Sequence, residues 1–406
     1  MRTVILAFVL ALLSTAVVSG SVRLVVAQEK IYFRSDGSVD PPTAPIQRDG
    51  NIYTFTDNIY DEIVVERDNI VVDGAGYTLQ GKRAYYSKGI YLTGRSNVTI
   101  RNVEIKTFFF GIWLEKSSNN SIFENKITNN KGGIWLSDSS NHNSISENNV
   151  TANLNYGIYI GHSSSNSIST NSVAATIYYG ICLEHSSSNN ISGNNMTNND
   201  YGIKLSLSSN KNNAYGNSIK NNLYGILLWK SSGNAIYGND IANNDRGIAL
   251  TKSSDNIIYH NNFMDNTEQA YSYNSTNVWD NGHPFGGNYW SHYTGEDRNG
   301  DSIGDTSYVI DQNNQDNYPL MIPWNPTWSP KPPVEIPFWS QWWFWAIAVI
   351  GIVVLAGAAY FLRGALKNKG MWRFTGDIST YRGFESHPPH HLPNPSHFTG
   401  GFIWAS

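Results

Sequence analysis

One cysteine, Cys182, stands in a chain of 406 residues, so no intrachain disulfide can form and stability must come from packing. Charge is sparse as well. Only 15% of residues are charged and the formal net charge is −4. No basic stripe appears, which removes the ground for a nucleic-acid partner. Soft-metal donors are few and scattered. Cys182, Met196, Met264 and Met321 lie far apart, as do His142, His162, His185, His260, His283 and His292. The body of the chain also lacks helical periodicity. Its apolar segments are a few residues long and are separated by polar turns, too short for helices.

Repetition takes the place of what is missing. A Gly-Ile-x-Leu/Ile tetrad starts at Gly89, Gly111, Gly133, Gly157, Gly180, Gly202, Gly225 and Gly247, in steps of 22 to 24 residues. A period this short and steady signals a solenoid. Two asparagine series keep the same beat. One is Asn97, Asn120, Asn143, Asn166, Asn189, Asn212, Asn234 and Asn256; the other is Asn102, Asn125, Asn148, Asn171, Asn194, Asn217, Asn239 and Asn261. Three short strands and three turns per unit make one coil of an all-β, right-handed parallel β-helix, the hand following from the preference of parallel crossovers. The asparagines are expected to stack into two structural ladders, and the Ser-Ser runs to stack in a third turn. The glycine of the tetrad is expected to permit a tight bend or positive φ.

The array spans 82–263. An open solenoid exposes strand edges, so caps are expected over 28–81 and 264–322. Residues 323–337, rich in proline and tryptophan, read as a semi-rigid stalk. Residues 1–27 carry the positive start, apolar core and small-residue cleavage site of a signal peptide. The run Trp342–Leu362 has 21 uncharged residues, enough to span a bilayer. Arg363, Lys367 and Lys369 follow it, so a single transmembrane helix over 338–363 is expected, with the N-terminal body outside the cell membrane and 364–406 as a cytoplasmic tail. That tail looks foreign to the rest. Gly383-Phe384-Glu385-Ser386 is what the codons GGG TTC GAA TCC encode, a string found in the T-arm of many transfer-RNA genes, and the frame is expected to run into such a gene.

Four places could carry chemistry. In 297–305, Asp297, Asn299 and Asp301 present oxygens at alternate positions, with the Ile303 carbonyl and Asp305 to complete a structural calcium site. The loop departs from an EF-hand at Ser302, where glycine is required, and at Tyr308, where a bidentate glutamate is required. Second, the x of the tetrad alternates with two inward residues and so faces outward. In successive coils it is Tyr91, Trp113, Trp135, Tyr159, Cys182, Lys204, Leu227 and Ala249. The four aromatics are candidates for a carbohydrate platform, widened by Phe110, Tyr156, Tyr179, Tyr201 and Tyr224; stacking for its own sake is the competing explanation. Third, acids are scattered: Glu115 and Asp138 follow one strand in adjacent coils, Glu184 sits beside His185, and Asp245-Arg246 reads as a surface pair. No catalytic residue is assigned. Fourth, His162 and His185 lie one coil apart, both just after their strands, and could face each other over copper; a chance pair is the competing and favoured explanation. Asn97, Asn119, Asn149, Asn190, Asn195 and Asn274 open N-x-Ser/Thr sequons.

Residues 62–263 resemble the right-handed parallel β-helix repeat proteins of pectate-lyase-like architecture. The resemblance rests on the Tyr-Gly-Ile-x-Leu unit at 201–205 and the Ser-Ser-x-Asn-x-Ile-x-x-Asn unit at 163–171. The group they look most like is NosD-like. The segment from Gly287-Asn288-Tyr289-Trp290-Ser291 to Asp316-Asn317-Tyr318-Pro319-Leu320 looks like the C-terminal region of archaeal surface members. The NosD resemblance implies copper supply to a periplasmic oxidoreductase with a transporter as partner, and no residue matches a copper ligand of that family. The expected function is a membrane-anchored surface module that binds envelope polysaccharide. The alternatives are a copper accessory protein and a polysaccharide lyase or hydrolase.

Overall fold

A computed structural model describes residues 30–327, 349–350 and 352–360. The signal-peptide expectation and the tail beyond 363 lie outside the described residues, as does most of the stalk. Each coil contributes one strand to each of three sheets, and each strand pairs in parallel with its counterpart one coil away. Sheet 1 has 12 strands and carries the tetrad, sheet 2 has 11 and sheet 3 has 10. Register places like on like: Ile112 pairs with Ile90 and Ile134, and Leu114 with Leu92 and Leu136. Four rows of inward apolar side chains, two from sheet 1 and one each from sheets 2 and 3, are fully buried and make one continuous apolar core.

The tetrad glycines do not have positive φ. Their reason is close approach. A Cβ on Gly202 would stand 2.6 Å from the Gly225 carbonyl and 2.7 Å from the Ile219 side chain, and the same clash recurs at Gly89, Gly111, Gly133, Gly180, Gly225 and Gly247. Left-handed backbone occurs instead at the corners, one residue before each ladder position. Examples are His142, Glu147 and Ala152, with φ of 57°, 57° and 55°.

This corner geometry corrects the ladders. Asn97 and Asn102 are not members. Both have φ of 54° and occupy the left-handed corner position. Asn97 is exposed and its amide reaches only Asn69, while that of Asn102 reaches Asp73. The ladder position in their coil is one residue later, at Val98 and Val103, whose N–H groups donate to the side-chain oxygens of Asn120 and Asn125. From Asn120 onward the ladders hold. Each buried asparagine accepts, at its Oδ1, the backbone N–H and the side-chain amide of the asparagine one coil earlier, as Asn166 does from Asn143 at 2.8 and 3.1 Å. Both continue past the regular repeats, through Asn277 to Asn314 and through Asn288 to Asp316.

A third ladder was missed by the two-series reading. Asn130, Asn153, Asn199, Asn222, Asn244 and Asn266 follow the second series by five residues, and all are buried. Thr176 takes the place of asparagine in one coil, and its hydroxyl is buried without a partner. Serines at 117, 140, 163, 186, 209, 231, 253 and 275 form a fourth column, each from Ser140 onward accepting the backbone N–H of the serine before it, while Ser117 accepts that of Arg95.

The ends are sealed by aromatics. Phe33 stacks on Tyr53 at 4.5 Å at one end. At the other, Phe263, Trp290 and Tyr308 stack in sequence at 4.4 and 4.2 Å. Within the expected membrane span, residues 349, 350 and 352–360 are helical and their apolar side chains are exposed. Among the described residues no helix is long and apolar enough to cross a membrane.

Candidate functional site

Alternation along each strand of sheet 1 gives two outer columns, the x position and the residue after the tetrad Leu, and the residue before the tetrad glycine adds a third that packs against the x column. The middle column is the x position. Tyr91, Trp113, Trp135 and Tyr159 do lie in register there, half-buried. They do not form one flat platform. Tyr91 meets Trp113 edge-on at 5.8 Å, Trp135 stacks on Tyr159 at 3.8 Å, and Phe110 wedges between Trp113 and Trp135 at 4.8 and 4.9 Å. Their polar atoms already have partners. Tyr91 bonds to Glu115, Trp113 donates to Ser137 at 3.1 Å and Tyr159 to Glu184 at 3.2 Å.

The column before the tetrad glycine is the more regular one. Tyr156, Tyr179, Tyr201 and Tyr224 stack at 5.1, 5.1 and 5.0 Å. Rings stacked this way cover one another's faces, so sugar-sized ligands can reach a face only where the column breaks. It breaks at Gly132, which is in register with Phe110 on one side and Tyr156 on the other. The result is a hollow of about 180 Å³ lined by Phe110, Lys131, Gly132, Trp135, Asn155 and Tyr156. The sequence analysis missed this notch, although it left one signal: Gly132 precedes Gly133 where other coils place an aromatic or a long side chain.

A second grouping needed the structure. Glu184 accepts from Tyr159 at 3.2 Å, from Lys204 at 3.3 Å and from Ser206 at 3.4 Å. These residues come from three coils, and no sequence spacing joins them. Desolvation and the Glu184 carboxylate both push the Tyr159 hydroxyl above its ordinary value. Cys182 beside them is fully buried, and burial pushes its thiol upward too. Such a thiol is a poor metal donor.

The metal expectations find little geometric support. Asp297 accepts the backbone N–H groups of Gly300, Asp301 and Ser302, Asp301 accepts that of Ile303, and Asp305 that of Arg298. The loop is a turn closed on its own oxygens, and Asn299 donates to Asp301 rather than converging with it. Among the described residues no group of three or more His, Cys, Asp or Glu side chains is placed to hold a metal ion. His162 and His185 do come together, but as parallel stacked rings 4.6 Å apart, and Met196 is buried in the core. All six sequon asparagines are exposed.

The three-sheet parallel coil defines the class: an all-β right-handed parallel β-helix of about 10 turns. Residues 48–219 match the family described as right handed beta helix region, and residues 175–295 match that described as periplasmic copper-binding protein (NosD). The chain is a NosD-like right-handed β-helix repeat protein. No relative among curated proteins matches it. Among solved structures it is similar to the A-module of Azotobacter vinelandii mannuronan C-5 epimerase AlgE6, at 14% identity over 56% of this chain and 69% of that one, with a TM-score of 0.42. It is also similar to a mutant of the periplasmic alginate epimerase AlgG, at 17% identity over 54% and 65%, TM-score 0.42. A third is Dettilon tailspike protein, at 17% identity over 60% and 59%, TM-score 0.42. The chain thus spans less than two thirds of the length of the last two, and at these identities the likeness is one of fold.

Proposed function

We propose that this protein is a membrane-anchored surface module that binds glycan on the outer face of sheet 1. The observation that carries the reading is the aromatic wall, in which Phe110, Trp113, Trp135, Tyr156 and Tyr159 touch one another around the Gly132 gap. Elsewhere the turns and outer positions are dominated by Asn and Ser. Sugars bind by laying C–H surfaces on aromatic rings while their hydroxyls find polar groups at the rim, a division that suits concave, largely apolar sites with a few polar contacts. The uncharged run in 338–363 supports the anchor.

The test is retention of the full-length protein on immobilised envelope polysaccharide. The double variant Trp113→Ala, Trp135→Ala is expected to lose retention about tenfold or more, the worth of one or two exposed aromatic contacts. The fold should survive, because Ala249 already occupies the x position in another coil. Unchanged retention would remove this face as the site. A copper accessory role is favoured by one observation, the match of residues 175–295 to a copper-binding family. It is answered by titrating the protein with Cu(I) against a competing chelator; absence of tight binding dismisses it.

A further inference from the structure

We infer that the Gly132 notch takes a single sugar ring bearing a negative charge, with Lys131 as the group that reads the charge; this rests on the glycan reading above. The notch holds about 180 Å³, below the size of pockets that enclose drug-sized molecules, so it admits one ring of a longer chain. With no side chain at Gly132, the Phe110 ring leans over it, 3.1 Å from where a Cβ would stand, and the hollow lies beside that ring against Trp135 and Tyr156. Tyr156 bounds the other side and is stacked on its far face by Tyr179.

Charge on this face is unevenly committed. Lys204 is held by Glu184 at 3.3 Å and Arg246 by Glu268 at 2.6 Å. Lys131 has no ion-pair partner among the described residues, whereas Lys88 is drawn by the Glu62 and Glu115 carboxylates. Lys88 lies over Tyr91 and Trp113, 3.8 and 4.2 Å from their centroids, and Lys131 lies over Phe109 at 4.3 Å. Lys131 is therefore the ammonium group at the rim of the notch. Asn155 lines it as well, and its amide adds a donor and an acceptor for hydroxyls. An anionic substituent on the bound ring meets a cation at the rim, an aromatic floor and an amide, whereas a cationic sugar meets repulsion.

The experiment measures binding of the full-length protein to tetragalacturonate, to the same tetramer with its carboxyl groups reduced, and to a sulfated galactan tetramer. The uronate is expected to bind about fivefold tighter than its reduced form, the worth of one partly exposed charge pair. Lys131→Gln is expected to erase that ratio. Gly132→Phe, which displaces the Phe110 ring and fills the hollow, is expected to abolish binding of all probes, the melting temperature being measured alongside to report any cost to the fold. Preferred binding of the sulfated tetramer keeps the charge reading and makes sulfate the source. Equal binding of charged and reduced tetramers, or an unchanged ratio in Lys131→Gln, overturns the inference while leaving the glycan reading. Binding unaffected by Gly132→Phe overturns the notch. No binding of any tetramer, alongside no retention on polysaccharide, overturns both.

Discussion

At the scale of single residues, the coil is held by side-chain amides that substitute for backbone partners at each corner. A corner turns through a left-handed residue, and the next residue's N–H points along the axis with no strand to receive it. An asparagine one coil later supplies the acceptor, and its own amide passes the arrangement on. Removing one rung therefore orphans a buried donor pair. Asn171→Ala strands the N–H and amide of Asn148, which both bond to Asn171 at 3.0 Å, and is expected to cost about 3 kcal/mol in denaturant unfolding. The opposite change is available at Thr176, whose hydroxyl has no partner while its coil neighbours are Asn153 and Asn199. Thr176→Asn completes the third ladder and is expected to raise stability by about 1 kcal/mol. A drop in melting temperature on that substitution would show that the corner at Thr176 cannot accept the amide.

Among the elements, the C-terminal cap is where titration matters. Asp316 ends the second ladder, accepting from Asn288 at 2.7 Å, from the Trp290 indole at 2.9 Å and from Tyr318 at 3.1 Å. Burial pushes its carboxyl up to about 7, with Asp280 adding repulsion, against those three donors. A folded value above the unfolded one means that protonation favours the folded cap. The contribution is full below about pH 4 and is lost as pH rises through 7. Thermal unfolding of the wild type should therefore show this component weakening between about pH 4 and 7. Asp316→Asn keeps an oxygen acceptor for the ladder and should flatten that slope. An identical slope in the variant would assign it to other groups. At the opposite end of the array the sense reverses: Glu104 is drawn down to about 2 by Lys126, with Thr78 and Lys106 adding to it, and its contribution is lost only in strong acid.

At the scale of the whole molecule, the stability of the stacked coils is a sum of neighbouring interfaces, and the aromatic wall is where the chemistry of the outer face changes from coil to coil. The proposed anchor is tested at this scale. Full-length protein in its native membranes should resist extraction by alkaline carbonate and be released by detergent, and deletion of 338–363 should move it to the soluble fraction. Release of the intact chain by carbonate alone would end the anchoring proposal.

The period, the three strands per coil and the inward rows of Ile and Leu were legible in the sequence, because every coil solves the same packing problem with the same residues. The asparagine beat was legible too. Its offset in the first coil was not, since Asn97 and Asn102 have the right spacing but sit on the corner rather than the rung, and only register distinguishes the two. The role of the tetrad glycine also escaped sequence, because a close approach between coils leaves no mark within one coil. The aromatic positions were correctly placed on the outer face by alternation. How they meet was decided by tertiary structure: rings one strand apart can stack, cross or wedge, and the choice depends on neighbours such as Phe110, and on the absence of one at Gly132. The sequence by itself thus determined the repeating backbone and its core, which depend on local pattern. The pairing of Glu184 with Lys204, the continuation of the ladders to Asn314 and Asp316, and the notch beside Lys131 depend on which coils lie side by side, and only the folded stack brings them together.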